Sequence, residues 1–338
     1  MKERTALVVT SIAAPNRALR ELAEGAEANR WPFYIIGDVS SPSDFSLPGA
    51  QFLSVERQME TGFATAKASP TRHYARKNIG YLLAMRDGAS VIVETDDDNL
   101  PLAAFWKPRV FRQKVRVVRT GGWTNVYAYF STQRIWPRGL PLDAIQSPLP
   151  VFQTLPEEDV YCAIQQNLAD GNPDVDAIYR LILPLPATFR KYRQVAISSE
   201  AWCPFNSQNT SWARDAFPLL YLPAYCSFRM SDIWRSFVAQ RIASANGWPI
   251  LFGESTVFQE RNEHDLMRDF EDEIPGYRDN RKIGETLAAV DVKPGVTALN
   301  ENLCVCYERL VAGGFVDARE LDLVQAWIDD LTSIPLPA

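Results

Sequence analysis

The chain has 338 residues, of which 46% are hydrophobic and 22% are charged, so it can form a sizeable core and bulk disorder is excluded. Its 35 Lys and Arg residues against 41 Asp and Glu residues give a net charge of −6, which argues against binding nucleic acid through charge alone. The length suits one large α/β domain with an appendage, or two ordinary domains.

The cysteines and the first residues indicate where the protein works. Five scattered cysteines are typical of a reduced protein rather than of a disulfide framework. The apolar run at residues 5–12 is too short for a signal peptide or a membrane span. We therefore expect a soluble, cytoplasmic protein without a membrane span.

Strand and helix signals alternate along the chain. The predicted strands lie at residues 5–12, 33–37, 51–55, 91–95 and 248–259, and the predicted helices at 17–29, 74–86, 232–246, 298–312 and 318–332. Residues 105–155 are rich in aromatics, Pro and Gly and predict irregular loops with short strands. Such alternation predicts an α/β fold with a mixed, mainly parallel central sheet and helices on both faces.

The last fifty residues differ in character from the rest. Residues 1–290 are predicted to form the main domain, and residues 291–338 a small C-terminal helical extension. Each of its two helices carries an apolar stripe, which favours packing against the main domain. The alternative is an interface for a second copy of the chain or for another protein, so a homodimer is possible.

The strongest local signal is a run of three acids, Asp96, Asp97 and Asp98, directly after the apolar strand at 91–95. Ligands gather at the carboxyl ends of such strands, where Asp38 also lies. Adjacent carboxylates repel one another unless a cation is present, and their oxygens suit Mg²⁺ or Mn²⁺. A solvated turn or a helix cap is the alternative. Asp98 is the preferred direct metal ligand, and Asp96 can bind the metal or a sugar hydroxyl.

Other kinds of site lack support in the sequence. It contains no phosphate-binding P-loop, no Gly-rich dinucleotide motif, no zinc-protease motif and no serine-hydrolase motif. With only His73 and His264, a site built from several histidines is excluded. His264 is the best candidate for a late metal ligand because neutral imidazole commonly completes such sites.

Several short segments together resemble a known family. Residues 76–82 (RKNIGYL) and 91–99 (VIVETDDDN) resemble the core of the STELLO-type glycosyltransferase domain. They are more distantly similar to the plant reversibly glycosylated polypeptides, which are UDP-arabinopyranose mutases. The resemblance continues, in the order of the family, through residues 136–141 (WPRGLP), 172–177 (NPDVDA), 205–210 (FNSQNT), 232–235 (DIWR) and 259–265 (QERNEHD).

The resemblance implies a GT-A fold, a UDP-sugar donor, a divalent metal held by a DxD motif, and sugar transfer to an acceptor hydroxyl with inversion. Asp232 would be the catalytic base, although it could also merely cap its helix. The candidate contacts with the nucleotide sugar are Thr10, Asp38, Arg76, Lys77, Asp96, Asp97, Arg138, Asp174, Asp176, Asn206, Asn209 and Arg235.

Two departures from the mutases bear on the activity. No arginine follows Arg138 in residues 139–145, where the mutases carry the arginine that becomes glycosylated, and Ser231 replaces one acid of a pair. Self-glycosylation and ring contraction are therefore disfavoured. A nucleotide-sugar mutase, and a catalytically idle GT-A-like scaffold that binds a partner, stay as alternatives to the glycosyltransferase.

Overall fold

The structure is a computed structural model of the chain and describes residues 4–260 and 265–334. Within these residues the strands are β1 Thr5–Thr10, β2 Phe33–Ile36, β3 Gln51–Leu53, β4 Val91–Thr95, β5 Asn99–Pro101, β6 Arg112–Val118, β7 Gly122–Trp123, β8 Glu157–Tyr161, β9 Ile164–Gly171, β10 Gln194–Ile197, β11 Ala201–Trp202, β12 Asn209–Ala213 and β13 Ile250–Gln259. The α-helices are α1 Arg17–Asn29, α2 Val55–Glu60, α3 Ala64–Ala68, α4 Lys77–Arg86, α5 Tyr127–Phe130, α6 Ala177–Ile182, α7 Ser231–Ala245, α8 Leu266–Ala288, α9 Leu299–Ala312 and α10 Glu320–Ser333.

One large mixed sheet organises the fold. Its strand order is β3-β2-β1-β4-β12-β9-β13-β10-β6-β8, and β5 pairs with β13. The first four strands run parallel, β12 runs antiparallel to both β4 and β9, and β13 runs parallel to β9. The predicted α/β fold with a mixed central sheet and C-terminal helices is therefore confirmed.

The apolar runs of the sequence form the centre of this sheet because they can be covered on both faces. All residues of β2 and β4 are buried. On one face, α1 packs Leu19, Leu22 and Ala26 against the sheet, and its N-terminus is capped by the side chain of Asn16. On the other face, α4 and α7 share the larger hydrophobic core.

Each predicted strand and helix has a counterpart in the structure. The strands β5 and β8 to β12 and the short helices α2, α3, α5 and α6 were not predicted. The segment 248–259, read as strands, is the single strand β13. The helix α8 was not predicted, because Pro275 and Gly276 interrupt its interior and charged residues cover much of its sequence.

The C-terminal helices pack into the main core. Leu303, Tyr307 and Trp327 are buried in the same hydrophobic cluster as residues of the sheet. The indole Nε1 of Trp327 donates to the carbonyl of Pro218 over 3.1 Å. The apolar stripes therefore form core, as the packing interpretation predicts, and the predicted boundary near residue 290 lies between α8 and α9.

A buried ion pair joins β4 to α7. The side chains of Glu94 and Arg235 have exposed fractions of 0% and 1%, and their Oε1 and Nη2 atoms are 2.8 Å apart. The second oxygen of Glu94 accepts from Nη1 of Arg235 over 3.0 Å. Trp212 and Tyr81 also donate to this carboxylate. The carboxylate of Glu94 thus accepts four hydrogen bonds inside the core, two of them from Arg235, and the pair fixes α7 against the sheet. Nε of Arg235 is buried and has no hydrogen-bond partner among the described residues.

We predict that Arg235→Met lowers the free energy of unfolding by about 3–5 kcal/mol, because it leaves the carboxylate of Glu94 buried without its counter-ion. Urea unfolding of the variant measures this change. The double variant Glu94→Leu/Arg235→Met should recover part of the loss, since neither charge remains.

The exposed pair of Arg281 and Asp143 provides the matched control, because its atoms are also 2.8 Å apart. Arg281→Met should change the free energy of unfolding by less than about 1 kcal/mol. If Arg235→Met and Arg281→Met lowered the free energy of unfolding equally, the buried pair would contribute no more to stability than the exposed pair.

Candidate active site

A cavity of about 780 Å³ opens at the edge of the sheet where β1, β2 and β4 end. The antiparallel β12 begins at this same edge, and β13 ends there. The residues that line the cavity include those of the polar strand ends, namely Thr10, Ser11, Asp38, Asp96, Asp97, Asp98, Ser207, Gln208 and Gln259, together with Arg138, Asp174 and Asp232. The predicted position of a ligand site at the carboxyl ends of the strands therefore coincides with this cavity.

The acidic turn after β4 is held by the neighbouring strands. Oδ2 of Asp97 accepts from the hydroxyl of Ser11 over 2.5 Å, and the carbonyl of Asp97 accepts from Asn16 over 2.8 Å. Both oxygens of Asp98 accept from Nε2 of Gln259 over 3.1 Å. The turn is thus anchored on β1 and on β13, which presents its carboxylates to the cavity.

Asp96 lies where negative charge accumulates. Enclosure by the protein raises the pKa of the Asp96 carboxyl to about 7. Lys77 opposes this rise, with its Nζ atom 3.6 Å from Oδ1 of Asp96, whereas the carboxylates of Asp98, Asp232 and Asp97 add to it. An added cation would therefore relieve this repulsion.

Asp232 lies across the cavity in a network with Arg138 and Asp174. Nη2 of Arg138 reaches both oxygens of Asp232 over 3.0 and 3.1 Å, and Nε and Nη2 of the same guanidinium reach Asp174 over 2.7 and 2.8 Å. Burial by itself raises the pKa of Asp232, but the positive charges of Arg138 and Arg235 and a hydrogen bond from Ser207 outweigh it and hold that pKa below its ordinary value. Asp232 is therefore a carboxylate at neutral pH.

A chain of hydrogen bonds connects the two acidic sides of the cavity. The hydroxyl of Tyr74 lies 3.3 Å from Oδ1 of Asp96 and 2.5 Å from the hydroxyl of Ser207. The backbone N–H and the hydroxyl of Ser207 both lie 3.2 Å from Oδ2 of Asp232. Nζ of the buried Lys77 donates to the hydroxyl of Tyr74 over 2.7 Å. The positions of Asp96 and Asp232 are therefore coupled through two hydroxyl groups.

Most of the sequence-predicted contacts meet in the cavity. Its lining includes Thr10, Asp38, Arg76, Asp96, Asp97, Arg138 and Asp174, as well as the predicted metal ligand Asp98 and the predicted base Asp232. Lys77 is fully buried beneath this lining and donates to the carbonyl of Thr95 over 2.9 Å.

The remaining predicted contacts lie behind the cavity lining and bond to the protein itself. Asp176 caps the start of α6 and accepts from the indole of Trp136 over 2.7 Å. Asn206 accepts from the N–H of Gln208. Asn209 donates to the carbonyl of Leu168 over 3.0 Å, and Arg235 is held by Glu94.

The structure describes two of the three predicted metal ligands, Asp96 and Asp98. His264 lies outside the described residues. In the described part of the chain, no three or more His, Cys, Asp or Glu side chains are grouped closely enough to hold a metal ion. Asp96 and Asp98 both line the cavity. Two carboxylates nevertheless fit Mg²⁺, which usually keeps several waters and takes its remaining ligands from substrate phosphates.

Sequence reasoning missed several residues of the cavity. Tyr74, Ser207 and Gln259 hold the acidic side chains in place, and Arg72 and Phe228 also line the cavity. Ser207 and Gln259 lie inside the segments 205–210 and 259–265 that carry the family resemblance, so that signal could have found them. Tyr74 and Arg72 precede the segment 76–82 and carried no signal of their own.

Comparison with known proteins supports the resemblance. The sequence model of the STELLO glycosyltransferases matches residues 229–337, which include Asp232 and the C-terminal helices. The chain is similar to the STELLO glycosyltransferases over part of its length. It is 28% identical over 264 residues to "Probable glycosyltransferase STELLO1" and, equally, to "Probable glycosyltransferase STELLO2", both from Arabidopsis thaliana. The resemblance predicted from the short segments is therefore confirmed.

The extent of the STELLO match limits what is transferred from it. The alignments cover 70% of this chain and 33% of each Arabidopsis protein. The chain thus spans about a third of the length of the curated relatives that it matches. Within residues 4–260 and 265–334, no helix is long and apolar enough to cross a membrane.

We predict that, without metal, the free energy of unfolding falls as the pH rises from about 4 to about 7, in part because of Asp96. A carboxyl whose pKa is higher in the folded state than in the unfolded state stabilises the protein below its unfolded pKa, and this contribution is lost as the pH rises through the folded pKa. For one proton the slope is at most about 1.4 kcal/mol per pH unit.

Urea unfolding of the wild type and of Asp96→Asn in EDTA at several pH values measures this contribution. The slope should become shallower in Asp96→Asn and stay unchanged in Asp44→Asn, which alters an exposed carboxylate. Parallel pH profiles of the wild type and Asp96→Asn would contradict the charge crowding at Asp96.

Proposed function

We propose that this chain is a metal-dependent glycosyltransferase that moves a sugar from a nucleotide sugar, UDP-linked, to an acceptor hydroxyl with inversion. The observation that carries the proposal is one cavity that brings the carboxylates of Asp96 and Asp98, at the end of β4, together with the separate carboxylate of Asp232 at the start of α7. Its STELLO relatives supply the reaction class.

The donor side of the cavity would be the edge formed by β1, β2 and β4. A cavity of about 780 Å³ is within the range of small-molecule sites and is large enough for a nucleotide sugar. Asp38 lies at the end of β2, apart from the acidic turn, where its carboxylate could accept hydrogen bonds from ribose hydroxyls. Asp174 lies beside Asp232 and could do the same for the sugar.

The metal would be Mg²⁺ or Mn²⁺, held by Asp98 with Asp96. When bound, a divalent ion supplies positive charge that stabilises the diphosphate leaving group. The acidic turn that would hold this ion is anchored on β1 and β13 through Ser11 and Gln259. Lys77 is buried beside the turn, with its Nζ atom 3.6 Å from Oδ1 of Asp96. The enclosed carboxylate of Asp96 favours a cation for the same reason that its pKa is raised.

Asp232 would receive the proton of the acceptor hydroxyl. Its pair with Arg138 keeps it ionised, and hydrogen bonds from Ser207 fix the direction of its Oδ2 atom. The lowered pKa makes Asp232 a weak base towards a resting alcohol. The hydroxyl becomes far more acidic as its oxygen bonds to the anomeric carbon, so proton transfer can accompany attack.

A thermal-shift screen tests the donor. UDP-, GDP- and dTDP-sugars are added with and without Mn²⁺, because a ligand that binds only the folded protein raises its melting temperature. We expect the largest shift for a UDP-sugar with Mn²⁺. A protein that binds the sugar nucleotide and changes its ring form without an acceptor would be a mutase, and one that binds none of these ligands would be an idle scaffold.

We predict that Asp98→Ala abolishes metal-dependent binding of the UDP-sugar and leaves the fold intact. The side chain lies at a strand end on the cavity wall, so its loss removes the proposed metal ligand and the hydrogen bonds from Gln259 but no apolar contact of the core. Calorimetric titration with and without Mn²⁺ measures the effect, and Asp44→Ala is the matched loss of a surface carboxylate. Equal affinity of Asp98→Ala and wild type in both conditions would exclude the assignment.

We predict that Asp232→Asn keeps donor affinity and lowers kcat by about 100-fold or more, because a base acts in the transition state. The fold should survive, since Asp174 still pairs with Arg138 on two nitrogen atoms. Donor titration and a transfer assay separate the two effects.

The matched control is Asp174→Asn, which also removes one partner of Arg138 but leaves Asp232 ionised. We expect it to retain much more transfer than Asp232→Asn. In the structure Met230 is the N-cap of α7 and no side chain caps it, so the cap interpretation of Asp232 is wrong. Wild-type turnover by Asp232→Asn would show that this carboxylate only holds Arg138 and Ser207 in place.

A further inference from the structure

Five arginine side chains line the cavity, and they differ in what they already bind. Arg138 and Arg229 pair with carboxylates, and Arg76 and Arg180 donate hydrogen bonds to uncharged oxygens of the protein. Arg72 forms no hydrogen bond or ion pair with any other residue in the part of the chain that the structure describes. Its exposed side chain is therefore available to a ligand.

The backbone of Arg72 adopts an unfavourable conformation. Its φ is +56°, in the left-handed region that residues other than Gly, Asn and Asp rarely adopt. The chain is fixed on both sides of it. The carbonyl of Ser69 accepts from Nη1 of Arg76 over 2.9 Å, and the N–H of His73 donates to Oδ2 of Asp38 over 3.0 Å. Such strain persists where the surroundings over-determine it, which is common at ligand sites.

We propose that Arg72 binds a phosphate group of the ligand in this cavity, and that Arg76 and Asp38 are positioning residues that hold its loop. The proposal rests on the proposed function, because a nucleotide sugar supplies the phosphate. A guanidinium matches phosphate oxygens with two parallel hydrogen bonds. Arg76 and Lys77, which the sequence suggested for the diphosphate, are fully buried, and Nε and Nη1 of Arg76 and Nζ of Lys77 already donate within the protein.

The first experiment titrates UDP, inorganic pyrophosphate and uridine, each with Mg²⁺, into the wild type, Arg72→Ala and Arg72→Lys. Arg72→Ala should weaken UDP and pyrophosphate by about tenfold or more, which is the usual weight of a hydrogen bond between charged groups, and leave uridine unchanged. Arg72→Lys should recover part of the affinity. Unchanged UDP affinity in Arg72→Ala overturns the proposal, as does an equal loss of uridine affinity, which would assign Arg72 to the nucleoside.

Arg30 is a matched control. It is an exposed arginine at φ +60° that ends α1 and does not line the cavity. Arg30→Ala should leave UDP affinity unchanged. Arg30→Gly and Arg72→Gly should each raise the melting temperature by about 1–3 °C, because glycine relieves the strain, but only Arg72→Gly should weaken UDP. If Arg72→Gly bound UDP with wild-type affinity, Arg72 would not contact the phosphate and the proposal would be wrong.

Two outcomes separate this proposal from the proposed function. A wild type that binds pyrophosphate through Arg72 but does not bind UDP would keep the phosphate site and contradict the nucleotide-sugar donor. Equal UDP affinity of the wild type and Arg72→Ala would support the nucleotide-sugar donor and overturn the phosphate site. A wild type that binds neither ligand overturns both.

Discussion

The buried pair of Glu94 and Arg235 sets the geometry on which the rest of the site depends. Glu94 precedes the acidic turn by two residues on β4, and Arg235 follows Asp232 by three residues on α7. Their hydrogen bonds of 2.8 and 3.0 Å therefore fix one side of the cavity against the other from inside the core. An ion pair without exposure is costly to form and more costly to break, so it favours one arrangement of the strand and the helix over all others.

Above this pair, the cavity is held by successive polar contacts. Lys77, Tyr74 and Ser207 connect the carboxylates of Asp96 and Asp232, and Arg138 connects Asp232 to Asp174. Lys77 also donates to the carbonyl of Thr95, and Ser207 also bonds to Asp232. These contacts orient the carboxylates, while the pKa of Asp96 stays raised. The result is a site in which one acid has a raised pKa and another has a lowered pKa, and that contrast is typical of carboxylates with different tasks.

The sequence predicted the strands β1 to β4 and β13 and the acidic turn because local signals were strong there, but it did not reveal the central strands β9 and β12. The run at residues 91–95 is apolar and the acids follow it at once, so both the strand and its end were visible. The helix α8 carries Pro275, Gly276 and many charges, and its stability comes from packing that a local pattern does not reveal. The three missed cavity residues that hold the acids depend on contacts between distant parts of the chain; Tyr74 and Ser207, for example, are 133 positions apart. Arg235 was assigned to the ligand because the sequence shows its charge but not the partner beneath the site.

The position of Asp330 has a consequence for the order in which the protein can be completed during synthesis. Its two carboxylate oxygens accept from the N–H groups of Ala64 and Thr65 over 2.9 and 2.7 Å, at the beginning of α3. A ribosome therefore releases the strands β1 to β4 before residue 330, and the start of α3 stays uncapped until Asp330 has emerged. Glu94 likewise has its counter-ion only once Arg235 has been synthesised. A nascent chain that stops before α7 would therefore carry an uncompensated charge inside its sheet, and the native cavity would form only after α7 has emerged.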